Sequence, residues 1–302
     1  MTVLMIGATG FVGSEVTKAN RIAGHHVIGC GRSTWGGKIA AQFPEREDYW
    51  CIEEDEVPST LIQEADCLVL LAGKRPYPGF CFTDYVDNIA LAHRYMKLAM
   101  EHGLKNIIFA SSKAVYSGPD MPWREDVVCA PSSLYGASKL AVEQLGALYS
   151  ETGKLCFKSL RFAQIIGIGE RKGYLINTLI DNAREKKTQM VYGSGEQRRQ
   201  YVYIKDVAAA ILRAEENPMI RGVFNIGMKG TVSNLELAEI VNECFDNAGN
   251  LIHDYSRIMC RCGDEMSVEK AKNELGFKAN FDIRETFSDL AREMTQDYYA
   301  EE

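Results

Sequence analysis

No apolar run in this 302-residue chain approaches the roughly 20 residues that a membrane-spanning helix needs. A basic tract is missing too, and the net charge is −7, which argues against a nucleic-acid partner. The first residues lack the basic segment of a secretory leader and read as a strand instead. Five histidines show no metal-ligand spacing. Of nine cysteines only Cys260 and Cys262 lie close together, and neither sits at zinc spacing from a histidine. An odd, scattered cysteine set fits reduced thiols of a cytoplasmic protein, most of them small buried hydrophobes. No metal is expected. Repeats, low-complexity tracts and Pro/Ser linkers are also missing.

With 46% apolar residues the chain can bury a sizeable core. Strand-like runs at 2–7, 26–31, 48–52, 67–72, 106–111 and 156–162 alternate with helical stretches at 11–24, 84–102 and 132–151. That rhythm predicts an α/β fold, a Rossmann-type doubly wound parallel sheet covered on both faces. Beyond 165 the rhythm loosens, with helices at 173–187, 204–217 and 267–275 and a strand at 223–227. Ser233 and Glu236 have capping-box spacing for a further helix. Residues 1–165 are thus expected to form a dinucleotide-binding domain. Residues 166–302 form mainly a smaller α/β substrate-binding part packed on the sheet, with segments interleaved.

Directly behind Val3-Leu4-Met5-Ile6 come Gly7-Ala8-Thr9-Gly10-Phe11-Val12-Gly13. Glycines three apart let the chain turn tightly and bring backbone N–H groups up to a pyrophosphate at the positive end of the next helix. The spacing is G-x-x-G-x-x-G rather than the standard G-x-G-x-x-G. Its place after a strand marks a dinucleotide site.

Tyr135 and Lys139 lie one helical turn apart on one face. The cation would draw the phenol pKa down, and such a tyrosine can exchange a proton with a substrate hydroxyl during hydride transfer. Tyr201 and Lys205 repeat the spacing, so context must separate the two pairs. Ser112, at the end of the strand through Ile107-Ile108-Phe109-Ala110, can bond the same substrate oxygen as Tyr135.

With these residues the chain resembles the extended short-chain dehydrogenase/reductase family, in its nucleotide-sugar epimerase/dehydratase branch, over about residues 2 to 290. Further shared motifs are Ala72-Gly73, Asn88, Ser111-Ser112 leading to Val115-Tyr116, Leu160-Arg161-Phe162, Arg199 within 197–202, Lys205-Asp206, Asn225-Ile226-Gly227 and Arg261. The resemblance implies that Ser112 polarises the substrate oxygen, Tyr135 is the acid/base and Lys139 holds the nicotinamide ribose. It implies a cofactor site of Gly7, Thr9, Gly10, Phe11, Val12 and Gly13, with Gly31, Arg32 and Ser33 at the second strand. Leu71, Ala72, Gly73, Lys74, Asn88, Ala110, Tyr135, Lys139 and Phe162 would complete it. A nucleotide-sugar substrate would meet Lys74, Ser112, Lys113, Ala114, Tyr135, Gln164, Arg199 and Arg261, the two arginines at its diphosphate. It also implies a homodimer through helices 84–102 and 132–151, whose apolar residues include Leu91, Tyr95, Leu98 and Met100, and Leu140, Leu145, Leu148 and Tyr149.

Departures from the family pattern narrow the chemistry. Lys113-Ala114 stand where dehydratases of the branch carry Asp-Glu, so 4,6-dehydration is not expected, and Ala114 replaces the cysteine of C3/C5 epimerases. Gln164 replaces a usual Asn, and Arg199-Gln200 a common Arg-Asp. The second strand runs Val27-Ile28-Gly29-Cys30-Gly31-Arg32-Ser33 without the carboxylate that NAD users place against the ribose. Arg32 and Ser33 can bind a 2′-phosphate instead, so the cofactor is NAD(P), leaning toward NADP. The acid expected after the third strand is ambiguous among Glu53, Glu54 and Asp55. Lys74-Arg75 are either ligand-facing cations or a solvated loop. The expectation is an NAD(P)-dependent nucleotide-sugar epimerase acting at C4, or alternatively an NADPH-dependent 4-ketoreductase. A non-catalytic sensor or scaffold fits less well, because Ser112, Tyr135 and Lys139 are all present.

Overall fold

In the computed structural model the described residues are 1–34, 36–52, 56–171, 173–256 and 263–300, the last five as backbone only. Glu53, Glu54, Asp55, Cys260, Arg261 and Cys262 fall outside that set. The alternating apolar runs become strands β1 (Thr2–Ile6), β2 (His26–Gly31), β3 (Tyr49–Cys51), β4 (Cys67–Leu70), β5 (Asn106–Ser112) and β6 (Cys156–Phe162). Between them lie helices α1 (Phe11–Ile22), α2 (Gly37–Gln42), α3 (Ser59–Glu64), α4 (Phe82–Glu101) and α5 (Leu134–Glu151). Continuous apolar strands such as Val3-Leu4-Met5-Ile6, 0% exposed, require cover on both sheet faces.

The later segments add α6 (Leu175–Arg184), α7 (Ile204–Glu216), α8 (Asn234–Cys244), α9 (Glu269–Glu274) and α10 (Ile283–Ala300). Their strands are short: β7 (Gln164–Ile166), β8 (Gln189–Tyr192), β9 (Arg198–Arg199), β10 (Tyr201–Tyr203), β11 (Gly222–Ile226), β12 (Val232–Ser233) and β13 (Leu251–Asp254). All seven strands of the central sheet pair in parallel, in the order β11-β6-β5-β4-β1-β2-β3. The chain therefore returns to the sheet after residue 165, with β11 beside β6 and α7 packed on α1. Val16, Val207 and Ile211 fill one face, and Tyr95, Met96 and Val142 the other. A third core, with Ile176, Leu237, Val241 and Phe287, joins α6, α8 and α10.

Strand order reverses between β1 and β4, and such a switch point opens a crevice at the carboxyl ends of the strands. A separate cavity of about 520 Å³, with Asp66, His102, Lys105 and Arg221 in its wall, lies at the amino ends, away from the glycine turn. Among the described residues no group of side chains is arranged to hold a metal ion. The seven described cysteines are free thiols. No described helix is long and apolar enough to cross a membrane.

Most of the apolar residues named on helices 84–102 and 132–151 pack against the chain's own core. Tyr95 is buried, and Leu91, Leu98, Met100, Leu145 and Tyr149 pack under α4 and α5 against the sheet, while Leu140 reaches the other core. Leu148, by contrast, is 57% exposed. Phe82, Val86, Leu134 and Leu148 are the large apolar side chains that α4 and α5 expose.

Candidate active site

Gly7 leaves β1 with φ +96°, and a Cβ there would come within 2.7 Å of the Ala72 backbone nitrogen across the switch point. At Gly13 a Cβ would lie 2.1 Å from the Gly7 carbonyl, so α1 can start this close to the strand only with glycine in its first turn. The result is a cradle of backbone between β1 and β4, closed by the N-terminal turn of α1. Helix starts leave N–H groups without helical acceptors, which suits the diphosphate of a dinucleotide. The residues present fit that group.

At the end of β2, Gly31 is buried while Arg32 and Ser33 are exposed. A Cβ at Gly31 would sit 2.5 Å from the Tyr49 hydroxyl and 2.8 Å from Thr9 Oγ1. Tyr49 is fully buried and donates to the Ser33 carbonyl at 2.8 Å. It occupies the space where a carboxylate on residue 31 would stand. The ribose end of the crevice is thus bordered by a guanidinium and no acid from β2.

The catalytic candidates converge on the same crevice from three elements. Ser112 closes β5, and its Oγ accepts from Ala114 N at 3.2 Å. Ser133 caps α5 through Gly136 N, and Gly136 lets the helix start against the 113–115 turn, since a Cβ there would be 2.0 Å from the Ala114 carbonyl. That contact holds the Tyr135 hydroxyl in hydrogen-bonding reach of Ser112. Lys139 Nζ donates to the Ala110 carbonyl at 2.7 Å and lies 5.7 Å from the Tyr135 ring centroid. Beneath them Glu143, one turn beyond Lys139, accepts from Ser111, Ser159 and Arg161. Arg161 also donates to Tyr116, whose hydroxyl donates to Asn225 of β11. This buried hub locks α5, β5, β6 and β11 into one register.

Burial dominates the electrostatics of the pair. Burial pushes the Tyr135 phenol above its ordinary value, with the Ser112 hydrogen bond and Arg75 pulling the other way. Burial also lowers Lys139 to about 8, opposed by the Glu143 charge. Burial is thus the largest influence on the Tyr135 phenol and on the Lys139 ammonium alike.

Elsewhere the site is partly as expected. Lys74 Nζ is held by Asp84 and Asp87, both at 2.7 Å, so its charge is spent on α4 rather than on a ligand. Asn88 Oδ1 accepts from Lys74 N at 2.7 Å and its amide donates to the Lys74 carbonyl at 3.0 Å, fixing the loop around Gly73. Arg75, its neighbour, turns to the crevice and lies 6.0 Å from the Phe11 ring centroid. Lys113 Nζ pairs with Asp264 at 2.7 Å. Arg199 Nη2 donates to Gln197 Oε1 at 3.4 Å, and the Gln164 N–H donates to the Gln200 carbonyl at 3.3 Å. Gln200 ties Met228 to Met266 and is structural. Arg261 lies outside the described residues. The second Tyr/Lys pair is of another kind: Tyr201 is buried, and Lys205 is anchored to Asp289 and Glu293. Phe80 was not singled out in the sequence; its ring meets Tyr135 edge-on at 6.0 Å. Nothing local marks it, because the contact crosses 55 residues of chain.

The profile of the NAD dependent epimerase/dehydratase family matches residues 3–227. The chain belongs to that family. It is 27% identical over 311 residues to a UDP-glucose 4-epimerase of Corynebacterium glutamicum, covering 92% of this chain and 90% of that one. Among solved structures it is similar to the UDP-N-acetylglucosamine 4-epimerase of Bacillus cereus, with TM-score 0.86, 27% identity and coverage of 98% and 96%. It is also similar to MoeE5 solved with UDP-glucose and NAD, with TM-score 0.83, 25% identity and coverage of 99% and 100%. Family and fold agree on an NAD(P)-dependent enzyme of the short-chain dehydrogenase/reductase type.

Proposed function

We propose that this protein inverts C4 of a nucleotide sugar by transient hydride transfer. The convergence of Ser112, Tyr135 and Lys139 beside a dinucleotide cradle at the sheet's switch point carries the reading. The UDP-sugar 4-epimerases similar to this chain support it. A bound nicotinamide dinucleotide supplies the hydride acceptor and donor. Tyr135 takes the proton of the C4 hydroxyl and later returns it to the C4 oxygen. Ser112 donates to that oxygen and keeps it facing Tyr135 while the keto-sugar turns over. Lys139, positive below about pH 8, favours the phenolate that the oxidative half needs.

Residues up to about 165 hold the cofactor in this scheme, and the later segments hold the substrate, with Lys113, Gln164, Arg199 and Arg261 toward its diphosphate and sugar. Two copies pair through α4 and α5. The exposed Arg32 beside an acid-free Gly31 favours NADP over NAD and, with it, a second reading as an NADPH-dependent 4-ketoreductase. NAD in the solved MoeE5 complex weighs for the epimerase.

The test is incubation with UDP-glucose or UDP-N-acetylglucosamine, read by proton NMR of the sugar, alongside mass spectrometry of dinucleotide released from denatured protein. Inversion at C4 without added cofactor supports the epimerase. No inversion, together with NADPH oxidation by a UDP-4-keto sugar, replaces it with the reductase.

A further inference from the structure

Two segments meet over the N-terminal turn of α1. One is the loop from β4 to α4, carrying Arg75. The other runs from β7 to α6, where a Cβ at Gly167 would stand 3.2 Å from the Phe11 ring and one at Gly169 3.8 Å. Tyr174 joins them by donating to the Pro76 carbonyl at 3.2 Å, and Arg75 Nη1 approaches Glu170 Oε1 at 4.0 Å. The second contact is loose. Glu170's side chain is only 5% exposed, yet its Oε2 is buried with no hydrogen-bond partner. A carboxylate so placed is under-bonded, which is costly unless a donor arrives or the group takes up a proton.

We propose that Arg75 and Glu170 form a latch on the bound dinucleotide, in which Arg75 leaves Glu170 for the cofactor's diphosphate. The diphosphate would lie at the start of α1, beside Phe11, where Arg75 is already placed. Lys74, the other cation of the loop, is held by Asp84 and Asp87 and does not compete for it. When Arg75 turns away, Glu170 loses the charge that opposes its protonation and gains a dianion nearby. It then takes up a proton from solvent, so cofactor binding and proton uptake are coupled.

Burial already raises Glu170 to about 7, opposed by Arg75. The charged and titratable groups around it are Arg75 from the β4–α4 loop, Arg171 and Tyr174 on its own segment, and Tyr135 across Arg75. Lys172 lies outside the described residues. Above about pH 7 the free protein has an ionised Glu170 holding Arg75, and the cofactor must displace that pair. Affinity therefore falls as pH rises, approaching tenfold per unit.

The latch rests on the dinucleotide site and not on C4 chemistry, so binding is measured directly and no turnover is needed. NADH and NADPH are titrated by fluorescence into protein freed of nucleotide, at pH values from about 6 to 9. Lys139 also titrates in this range, so the decisive quantity is the difference between wild type and Glu170→Gln. The expected result is a dissociation constant that rises about tenfold or more in the wild type across this range. Its rise should be clearly smaller in Glu170→Gln, and the variant should bind tighter at the alkaline end. Arg75→Ala should bind more weakly than wild type at pH 6. Calorimetry of the wild type in buffers of different ionisation enthalpy gives proton uptake independently of any variant. A pH slope unchanged in Glu170→Gln, or binding without proton uptake near pH 8, overturns the latch. Tight, latch-independent cofactor binding without epimerase activity would leave the latch refuted and the fold's dinucleotide site intact.

Discussion

Tyr135 is where the chemistry can be tested with the loss of one oxygen. Its hydroxyl meets Ser112 and its ring is held edge-on by Phe80. Tyr135→Phe keeps the ring and removes the proton carrier. Turnover should drop by roughly 10²–10⁴-fold, while the dissociation constant for the dinucleotide changes little. Single-turnover reduction of the cofactor by the nucleotide sugar measures it; near-normal rates would take Tyr135 out of the mechanism. At the other end of the crevice, Arg32→Ala separates two roles for one guanidinium. If Arg32 binds a 2′-phosphate, the variant loses about 1.5–3 kcal/mol of NADP(H) affinity and little for NAD(H). Equal losses for both cofactors mean that the side chain only stacks on the adenine.

Elements of the first half were legible because their signals are local. Buried parallel strands are continuous apolar runs, and the glycine turn marks the start of α1, so β1, β2, β5, β6 and α1 fall within a residue or two of expectation. The Ser233–Glu236 capping box is present and opens α8 as read. The later half was less legible. Strands of two to four residues such as β9, β12 and β13 owe their pairing to distant segments, and α10 went unread. The same limit applies inside the site. Lys74 and Arg75 are adjacent cations in sequence, and only the placement of Asp84 and Asp87 on α4 decides which one faces the crevice.

A polar knot between elements predicts a pH response of the fold itself. Glu215 of α7 is fully buried, accepts from Asn20 of α1 at 3.2 Å, and is raised to about 8 by burial. Its folded pKa exceeds its unfolded value, so the folded state binds the extra proton between about pH 4.5 and 8. Stability from this group is present at low pH and declines as pH rises through that window. Urea midpoints at pH 6 and 8.5 should show a larger alkaline loss in wild type than in Glu215→Gln. Parallel losses in both proteins would mean that Glu215 does not titrate with folding.

At the scale of the whole molecule, the helix pair of α4 and α5 leaves large apolar side chains uncovered. Both sheet faces are covered and the third core is closed by α10, so the sheet's packing is satisfied within one chain. Yet α4 and α5, packed side by side, expose Phe82 at 67%, Val86 at 42%, Leu134 at 42% and Leu148 at 57%. Four large apolar side chains on two adjoining helices are more than scattered surface residues require. A two-fold axis across the helix pair would bring the same patch of a second copy onto it, giving four helices around one apolar seam. The protein should therefore sediment at twice the 33.7 kDa of one chain at micromolar concentration. Leu148→Glu, at a side chain 57% exposed, should shift it toward the single-chain mass while leaving the urea midpoint of the monomer nearly unchanged. A wild type that sediments as one chain shows that this face meets water alone, and that each copy completes its site without a partner.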